Sequence, residues 1–534
     1  MNYDSLYYPY QSRRSVVYGM RGMVATSQPL AAQAGLDMLK KGGNAIDAII
    51  AAAACLTVVE PTSNGIGGDA FALVWKDGNL HGLNASGPAP LGISADILRK
   101  AGHKEMPALG WPAVNVPGTP AAWAALASRF GRLPMTEVMR PAVEYAAQGF
   151  PVSPVISRLW ENQYKIFKAQ TGKEFQAWFD TFTLNGRAPE AGEVWRSDGH
   201  ARTLELIAAT KAEAFYRGEL AEKIDAFSRE TGGYIRLKDL EAYRPEWVMP
   251  VSVNYRGYDV WEIPPNGHGI VALMALNILK GFEFSDKEAI DTYHKQFEAM
   301  KLAYVDGFKY ITDPRKMTVK VADMLSDAYG AERRRLIGKT ALEPMPGTPQ
   351  QGGTVYLAAA DGEGNMVSYI QSNYKGFGSG LVVPGTGIAL HNRGSNFNLD
   401  ADHVNCLEPG KKPYHTIIPG FLTKDGKAVG PFGVMGGFIQ PQGHVQMIMN
   451  TIDFKLNPQA ALDAPRWQWN TGKIIEVEHA FPQPVAEALQ RMGHDVRRTL
   501  GNTTMGRGQI IWRNDAGVLA GGTEPRTDGT VAVW

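Results

Sequence analysis

The spacing of apolar residues predicts helices through the first half of the chain and short strands through its last third. Residues 28–41 carry Leu and Ala at helical intervals before two glycines, and residues 45–58 form a largely apolar stretch behind Asn44, a good N-cap. Further helical patterns lie at 119–130, 135–148, 203–216, 221–230 and 293–308. Strand patterns lie at 71–75, 80–83, 251–255, 258–262, 417–422, 429–434, 474–477 and 509–512.

This layout predicts an α+β fold in which helices cover a sheet. A length of 534 residues corresponds on average to about three domains, but no low-complexity tract, charged linker or internal repeat divides the chain. The 59 glycines fall between the periodic segments, where they mark turns.

Charge and composition narrow the classes of partner. Lys and Arg number 54 against 53 Asp and Glu, so neither nucleic acid nor an acidic membrane surface is favoured. The two cysteines fit neither a disulfide framework nor a zinc spacing. The N-terminus shows no signal peptide, and the most apolar stretch, residues 48–59, is too short to span a bilayer. A cytoplasmic location is therefore expected.

Signals for cofactors and metals are weak. Residues 65–70, GIGGDA, formally match the dinucleotide pattern, but a predicted helix precedes them and a strand follows, which reverses the required order. A tight buried turn is the better interpretation. No HExxH occurs, and no histidine forms a spaced ligand set with another His or Cys. We expect structural, hydrogen-bonded histidines in loops or at strand ends, namely His268, His391, His403, His415 and His444. No cofactor and no metal are expected.

The strongest chemical signal is Thr354. It follows Gly352-Gly353 and begins a strand-like run that leads, through a hairpin turn at 361–365, into a second run at 366–372. Cleavage before Thr354 would free its α-amino group, whose ordinary pKa of about 7.7–8.0 suits a base near neutral pH. A threonine activated by its own N-terminal amine is an established kind of nucleophile.

A second candidate is the pair Gly436-Gly437, which follows the strand predicted at 429–434. One interpretation is a turn or bulge. The other is a pair of exposed backbone N–H groups that face a developing oxyanion. Spacing alone favours the turn.

With these residues the chain resembles the γ-glutamyltranspeptidase family of N-terminal nucleophile (Ntn) hydrolases. The resemblance runs from about Gly22 to the C-terminus. Its landmarks are MVATS at 23–27, GGNAID at 42–47, EP at 60–61, GIGG at 65–68, VPGT at 116–119, PA at 141–142, GF at 149–150, GG at 232–233, YRGY at 255–258, DGEGN at 361–365, FG at 377–378, MGG at 435–437, APR at 464–466 and DG at 528–529.

The resemblance implies an Ntn-hydrolase fold, a four-layer αββα sandwich. It also implies cleavage between Gly353 and Thr354. The products would be a large chain, residues 1–353, and a small chain, residues 354–534, which stay associated as one unit.

The resemblance also assigns roles at the reaction centre. Thr354 would be the nucleophile in both cleavage and catalysis, and Gly436 and Gly437 would form the oxyanion hole. Ser372 stands where the family often has a threonine that is hydrogen-bonded near the nucleophile. Serine keeps the hydroxyl, so the role carries over.

The substrate pocket departs from the family. Ser86 stands about where γ-glutamyl enzymes have the arginine that grips the substrate α-carboxylate, and a serine cannot supply a bidentate charged fork. Neutral Asn396 replaces the aspartate that holds the ammonium, and His415-Thr416 replaces a serine pair. Losing a charged anchor removes a contact worth about 1.5–3 kcal/mol.

These departures weaken the expected grip on a glutamyl zwitterion and leave the acyl group open. Arg393 and His415 could instead receive an anionic group that carries no ammonium. Asn373 and Tyr374, which follow Ser372, complete the implied substrate-binding set.

The pattern resembles the branch that includes cephalosporin-acylase-type proteins and oxamate amidohydrolase. The leading hypothesis is an autoprocessed threonine amidohydrolase or acyltransferase that acts on γ-glutamyl or related small amides. One alternative is an oxamate- or glutaryl-type amidohydrolase without γ-glutamyl activity, and another is a non-catalytic relative that binds small amides. The expected partners are a small-molecule amide and the two chains of one precursor, with an oligomer of the processed heterodimer left open.

Overall fold

The computed structural model describes residues 14–344, 353–501 and 504–534. In these ranges the strands are β1 (Val17–Gly19), β2 (Gly22–Thr26), β3 (Asp69–Lys76), β4 (Asn79–Ala85), β5 (Phe150–Pro151), β6 (Val194–Trp195), β7 (Glu246–Val248), β8 (Val251–Tyr255), β9 (Tyr258–Glu262), β10 (Gly353–Asp361), β11 (Met366–Tyr374), β12 (Val382–Val383), β13 (Ile388–Ala389), β14 (Gly420–Lys424), β15 (Lys427–Met435), β16 (Trp467–Thr471), β17 (Ile474–Glu478), β18 (Asp495–Thr499), β19 (Arg507–Arg513), β20 (Leu519–Thr523) and β21 (Thr530–Val533).

The helices of the same ranges are α1 (Pro29–Lys40), α2 (Ala45–Val59), α3 (Ala95–Lys100), α4 (Thr119–Phe130), α5 (Met135–Val138), α6 (Arg140–Gln148), α7 (Pro154–Phe167), α8 (Gln176–Phe182), α9 (Asp198–Thr210), α10 (Glu213–Arg217), α11 (Glu219–Glu230), α12 (Leu237–Ala242), α13 (Gly269–Leu279), α14 (Ile290–Tyr310), α15 (Val321–Met324), α16 (Asp327–Arg334), α17 (Gln440–Ile452), α18 (Pro458–Asp463) and α19 (Gln483–Arg491). No helix in the described ranges combines the length and the apolar character needed to cross a bilayer.

Two seven-stranded antiparallel sheets form the centre of the molecule. The first has the order β1-β20-β19-β15-β14-β9-β8, and the second has the order β21-β2-β10-β11-β3-β4-β7. The sheets pack face to face, with β10 and β11 against β15, while α1 and α2 cover the second sheet and α13 and α17 cover the first. The expected α+β fold, a four-layer αββα sandwich, is confirmed.

Both sheets contain strands from either side of the predicted cleavage point. In the second sheet β10 pairs with β2, and in the first β14 pairs with β9. Residues on the two sides of the bond between Gly353 and Thr354 therefore share two hydrogen-bonded sheets.

Several helices and strands begin and end close to the residues that the local sequence pattern predicted. The Asn44 side chain accepts from the amides of Ile46 and Asp47, and the Asp47 carboxylate accepts from the Asn44 amide, which completes a capping box at the start of α2. Helix α4 and strands β8 and β9 have the predicted bounds.

Two long helices were predicted wrongly as continuous. The segment 135–148 is split into α5 and α6, and Pro141 lies in the first turn of α6, where its missing N–H costs no helical hydrogen bond. The segment 203–216 is broken between α9 and α10, where Lys211 and Ala212 adopt left-handed backbone conformations. Helices α13 and α17 were missed because nearly all of their residues are buried, so no polar face marks their period.

One edge of the sandwich collects the ends of four strands. Gly353 at the start of β10 pairs with Tyr374 at the end of β11, and Ser372 pairs with Asp69 at the start of β3. Strand β15 of the facing sheet runs towards the same edge. A Cβ added at its Gly430 would lie 3.2 Å from Met366, and one added at its Gly433 would lie 2.4 Å from the ring of Tyr356.

Candidate active site

The backbone around Thr354 is irregular. Thr354 is the second residue of β10, while Gln351 and Gly352 lie outside the described residues. Gly353 pairs with Tyr374 and Val355 with Gln371, so two residues of β11 stand opposite Thr354 alone. This bulge interrupts the regular ladder at the position where the sequence places the cleavage.

The residues of β11 in this bulge are buried and constrained. Tyr374 has a φ of +75°, a left-handed conformation that costs a residue with a side chain about 1–3 kcal/mol. The Ser372 hydroxyl accepts a hydrogen bond from the Tyr374 amide at 2.7 Å. Among the described residues, the Asn373 side-chain amide and the Tyr374 hydroxyl have no hydrogen-bond partner although both are buried. Buried polar groups of this kind are candidates for contacts with a ligand.

Gly436 and Gly437 form a tight turn after β15. Their φ angles are +136° and +68°, and Gly437 begins a short 3₁₀ turn, Gly437–Ile439, that leads into α17. Only glycine adopts these angles freely. Within the described part of the chain neither amide donates a hydrogen bond. Both N–H groups therefore remain available to an oxyanion, a role that the sequence pattern alone did not favour.

Behind this edge lies a buried cluster around Asp69, which we call the Asp69 cluster: Asp69, His391, Arg393, His415 and Thr416. The Asp69 carboxylate accepts from Arg393 Nε at 2.8 Å and Nη2 at 3.1 Å, and its Oδ2 lies 2.7 Å from His415 Nε2. Arg393 also donates from Nη1 to the Thr416 hydroxyl at 2.7 Å. All five side chains are at most 1% exposed.

The cluster is electrically balanced. Burial favours the neutral form of Asp69, but Arg393 and then His415 outweigh it and hold the pKa of Asp69 well below its ordinary value. Burial, helped by the Arg393 cation, lowers the pKa of His415 to about 4, and burial also lowers the pKa of His391. At neutral pH the cluster therefore holds one cation and one anion.

This arrangement changes the interpretation of Arg393 and His415. Both were expected to receive an anionic group of the substrate, and the structure shows that an anion of the chain itself, Asp69, already contacts them. The guanidinium lies 4.5 Å from the centre of the Tyr374 ring. Arg393 thus supports Tyr374 and Thr416 from behind, and any contact of its own with substrate stays a prediction.

Ser86 is likewise directed into the protein. Its hydroxyl lies 2.7 Å from Asn84 Oδ1 and 3.2 Å from Asn266 Oδ1, and Asn266 donates to the carbonyl of Pro413 at 2.8 Å. The position where relatives are expected to carry an arginine is therefore occupied by a neutral network beneath the 413–416 segment.

A cavity of about 390 Å³ adjoins the glycine turn. Phe438, which follows Gly437, lines it together with Asn396 and with residues 104–106. Its apolar wall is built from Phe308, Tyr414 and Phe438, whose ring centres lie 5.7–5.9 Å apart. The cavity therefore combines an aromatic wall with polar and charged side chains, among them Lys104 and Glu105.

Other histidine predictions can be compared with the structure. His268, His391, His415 and His444 are fully buried, but His444 lies within α17 rather than in a loop or at a strand end. The GIGGDA segment is a tight buried turn, as predicted, with the Gly68 amide donating to the Gly65 carbonyl at 3.0 Å.

The sequence also missed a buried group of potential metal ligands. His294, Glu298 and His494 bring ligand atoms within 4.8 Å of one another. Lys301 lies among them, 2.8 Å from Glu298 Oε1 and 3.4 Å from His494 Nδ1. His294 Nδ1 lies 2.8 Å from His494 Nε2, and His294 Nε2 lies 2.9 Å from the Gly338 carbonyl. The Leu342 amide donates to Glu298 Oε2 at 2.9 Å. We interpret the group as a structural network, because an ammonium occupies the place of the ion.

Asp69 is the main residue of the site that sequence reasoning passed over. The available signal was an acidic residue directly after the buried glycine turn at 65–68, where a charge needs a partner. Its partners, Arg393 and His415, lie more than 300 positions further along the chain.

Comparison with known proteins identifies the family of the chain. The gamma-glutamyltranspeptidase family model matches residues 31–534. The glutathione hydrolase-like YwrD proenzyme of Bacillus subtilis (strain 168) is 37% identical over 525 residues, covering 96% of this chain and 98% of that protein. The oxamate amidohydrolase proenzyme of Klebsiella pneumoniae is 33% identical, with the same coverage.

A solved structure of an acylase is similar to the whole chain. The crystal structure of cephalosporin acylase from Bacillus halodurans superimposes with a TM-score of 0.98 at 62% sequence identity, covering 100% of this chain and 99% of that one. A family match over almost the whole chain, full-length relatives and a superimposable structure lead to one conclusion: the chain belongs to the gamma-glutamyltranspeptidase family.

Proposed function

We propose that the chain is an autoprocessed threonine amidohydrolase that prefers acyl groups without an α-ammonium. Cleavage between Gly353 and Thr354 would make Thr354 the first residue of the small chain. The support comes from the position of Thr354 at the irregular start of β10, from the glycine turn that ends β15 at the same edge, and from membership of a family whose relatives are named as hydrolase proenzymes.

The reaction would proceed in two steps. In the first, the Thr354 oxygen forms a bond to the amide carbonyl carbon, its proton passes to the free α-amine, and the Gly436 and Gly437 amides stabilise the oxyanion. The C–N bond then breaks, the amine leaves with the proton, and an ester remains. In the second, water attacks the ester, the carboxylic acid leaves, and Thr354 regains its proton.

The preference for the acyl group rests on a single observation: neutral Asn396 stands where the resemblance places the aspartate that holds the ammonium of a γ-glutamyl group. In addition, Asp69 neutralises Arg393 inside the protein. Ser86 and Asn396, at the positions of the two charged anchors, are neutral. Neutral Asn396 offers no ion pair to the ammonium of a γ-glutamyl group, so the loss of water from that ammonium disfavours binding. A glutaryl-type group avoids this cost.

Similarity points in the same direction. The 62% identical structure carries the name cephalosporin acylase, and the cavity beside the glycine turn has an aromatic wall that suits a bulky amide. We therefore place an acylase-type reaction ahead of glutathione hydrolysis.

Two substrates that differ by one amino group provide the test. Glutaryl-p-nitroanilide is γ-glutamyl-p-nitroanilide without its α-ammonium, so the leaving group and the carboxylate are matched. We expect kcat/KM to be at least about tenfold higher for the glutaryl substrate, which corresponds to about 1.4 kcal/mol. Butyryl-p-nitroanilide, which also lacks the carboxylate, and oxamate complete the panel. A higher value for the γ-glutamyl substrate would overturn the preference.

The intact mass of the denatured protein, measured beside Thr354→Ala, tests the catalytic assignment separately. Two fragments that meet at Gly353 and Thr354, in the wild type alone, are expected. A single uncut chain in both proteins, together with no turnover, would favour the alternative of a non-catalytic protein that binds small amides.

A further inference from the structure

The ladder between strands β14 and β15 stops short of the site, although β15 continues to Met435. Their last pair towards the site is Gly420 with Phe432. In an antiparallel ladder the equivalent pair recurs every two residues, so the next one would join Ile418 and Val434. That pair does not form, and the prediction of a strand beginning at residue 417 was wrong for this reason: β14 begins at Gly420.

Helix α17 supplies the missing acceptors. The Ile418 amide donates to Gln440 Oε1 at 2.9 Å, and the Val434 amide donates to His444 Nε2 at 3.3 Å. Gln440 and His444 are four residues apart, so they lie on the same face of the helix. One helix face thus intercepts both amides that the next ladder pair would have used.

The segment that leaves the sheet is held in its new position. His415 donates its amide to the carbonyl of Asn266 at 2.9 Å, and the amide of His268 donates to the His415 carbonyl at 2.9 Å. The residues beyond the separation point are Thr416 on one side and Gly436 on the other. The gap between the strands therefore opens directly into the candidate active site.

His444 is held in one orientation by Glu262 of β9. Because Nε2 accepts from Val434, a neutral imidazole carries its proton on Nδ1, which donates to Glu262 Oε1 at 2.5 Å. Both side chains are fully buried, and burial lowers the pKa of His444 to about 3. The histidine therefore remains an acceptor for Val434 throughout the neutral range.

We propose that Gln440 and His444 are positioning residues that keep β14 and β15 apart and thereby fix the Gly436-Gly437 turn. The inference rests on the proposed function, because the quantity it explains is the orientation of the two amides towards the oxyanion. The two side chains would take no part in forming or breaking bonds during the reaction.

Two substitutions of one residue separate this role from general stability. In His444→Gln the amide oxygen reaches about the position of Nε2 and still accepts from Val434. In His444→Asn the side chain reaches only about the position of Nδ1, so that acceptor is lost. We expect kcat for the glutaryl substrate to fall at least about tenfold in His444→Asn, with KM within about twofold, and to stay within about threefold in His444→Gln.

Gln446 provides the matched control. It lies on the same helix, is also buried, and its side-chain amide holds the backbone of Trp467, away from the site. Gln446→Met and Gln440→Met are expected to lower Tm to a similar extent, while only Gln440→Met lowers kcat. If the two His444 variants lose kcat equally, or if kcat follows Tm across the whole set, the proposal is overturned.

Hydrogen exchange of backbone amides tests the positioning role without an activity assay. Exchange at Val434, measured in the peptide that spans residues 430–437, is expected to become faster in His444→Asn and to remain slow in His444→Gln. Equal protection in both would overturn the proposal even if the chain turned over no amide. Failure of the proposed function alone would instead appear as absent turnover in the wild type.

Discussion

The reaction edge and the Asp69 cluster touch each other but are built by different means. The reaction edge consists of backbone: the start of β10, the bulge of β11 and the glycine turn after β15. The Asp69 cluster consists of side chains from distant segments, joined by charge and hydrogen bonds. Turns and bulges of the backbone leave glycine signals in the sequence, whereas a buried cluster of paired side chains leaves almost none.

The difference also separates two kinds of constraint. A bulge or a turn with positive φ restricts which residue can stand at one position. A buried ion pair restricts two positions together, because removing one partner leaves the other charge uncompensated. The Asp69 cluster can therefore change only through coupled replacements, whereas the reaction edge is restricted at single positions.

The largest effect is expected at Thr354, the residue on which the reaction edge depends. Thr354→Ala should leave the chain uncut and lower turnover by at least about 10³-fold, because both the hydroxyl and the new N-terminus are lost. Thr354→Ser keeps a hydroxyl and should retain processing and measurable activity. Intact mass and a p-nitroanilide assay check both variants. Normal processing in Thr354→Ala would contradict the assignment.

Next in size is the loss of one partner in the Asp69 cluster. Asp69→Asn leaves the buried Arg393 cation without its anion, and we expect a loss of about 3–5 kcal/mol in the free energy of unfolding. Urea denaturation of the uncut Thr354→Ala chain measures this without dissociation of fragments.

The exposed pair of Glu363 with Arg132 is the control for charge removal. Glu363→Gln should cost no more than about 1 kcal/mol, since exposed pairs contribute little. The double variant Asp69→Asn with Arg393→Gln should recover part of the loss. Equal costs for Asp69→Asn and Glu363→Gln would show that the cluster is not held by its charges.

A smaller effect is expected at the glycine turn. Gly437→Ala forces a side chain to adopt a φ of +68° and shifts an amide of the proposed oxyanion hole, so kcat should fall about 10²-fold. Gly426→Ala is the matched control: its φ is +72°, no atom lies within 4 Å of an added Cβ, and it lies in the hairpin between β14 and β15. Similar kcat values in the two variants would argue against a special role for the turn.

The contrast between backbone features and side-chain clusters also explains which parts of the structure could be predicted from the sequence. The capping box of α2, the bounds of α4 and the hairpin of β8 and β9 depend on neighbours a few residues apart, so local patterns predicted them. Thr354 stood out because a nucleophile of this kind needs a hydroxyl residue at one backbone position, whereas the oxyanion role of Gly436 and Gly437 came from the resemblance and stays a prediction. The resemblance then supplied the αββα fold, which periodicity alone described only as helices covering a sheet.

The rest depends on contacts that sequence spacing does not encode. Asp69 and Arg393 are 324 residues apart, and only the folded chain shows that one neutralises the other. The separation of β14 from β15 likewise depends on α17, a helix whose buried faces conceal its period. The side chains of Gln440 and His444 accept from backbone amides that would otherwise pair between β14 and β15. Strand β14 is therefore shorter than its own sequence favours.

Measured per pH unit, the smallest effect is expected in the dependence of stability on pH. It tests whether the Asp69 cluster differs from ordinary buried side chains. The pKa of His415 is about 4 in the fold and about 6.5 when unfolded, so between these values the unfolded chain binds more protons. The contribution of His415 is therefore full above about pH 6.5 and is lost as the pH falls towards 4, by about 1.4 kcal/mol per pH unit.

His200 is the comparison outside the cluster. Burial alone lowers its pKa to about 3, and its ring contacts the rings of Trp195 and Phe182 rather than charged groups. His415→Gln and His200→Gln should each reduce the acid-side slope of unfolding free energy by about one proton. The exposed His479, replaced in the same way, is the control. A slope unchanged in His415→Gln but reduced in His200→Gln would mean that His415 is charged in the fold, and the cluster would then hold a net positive charge able to attract an anionic substrate after all.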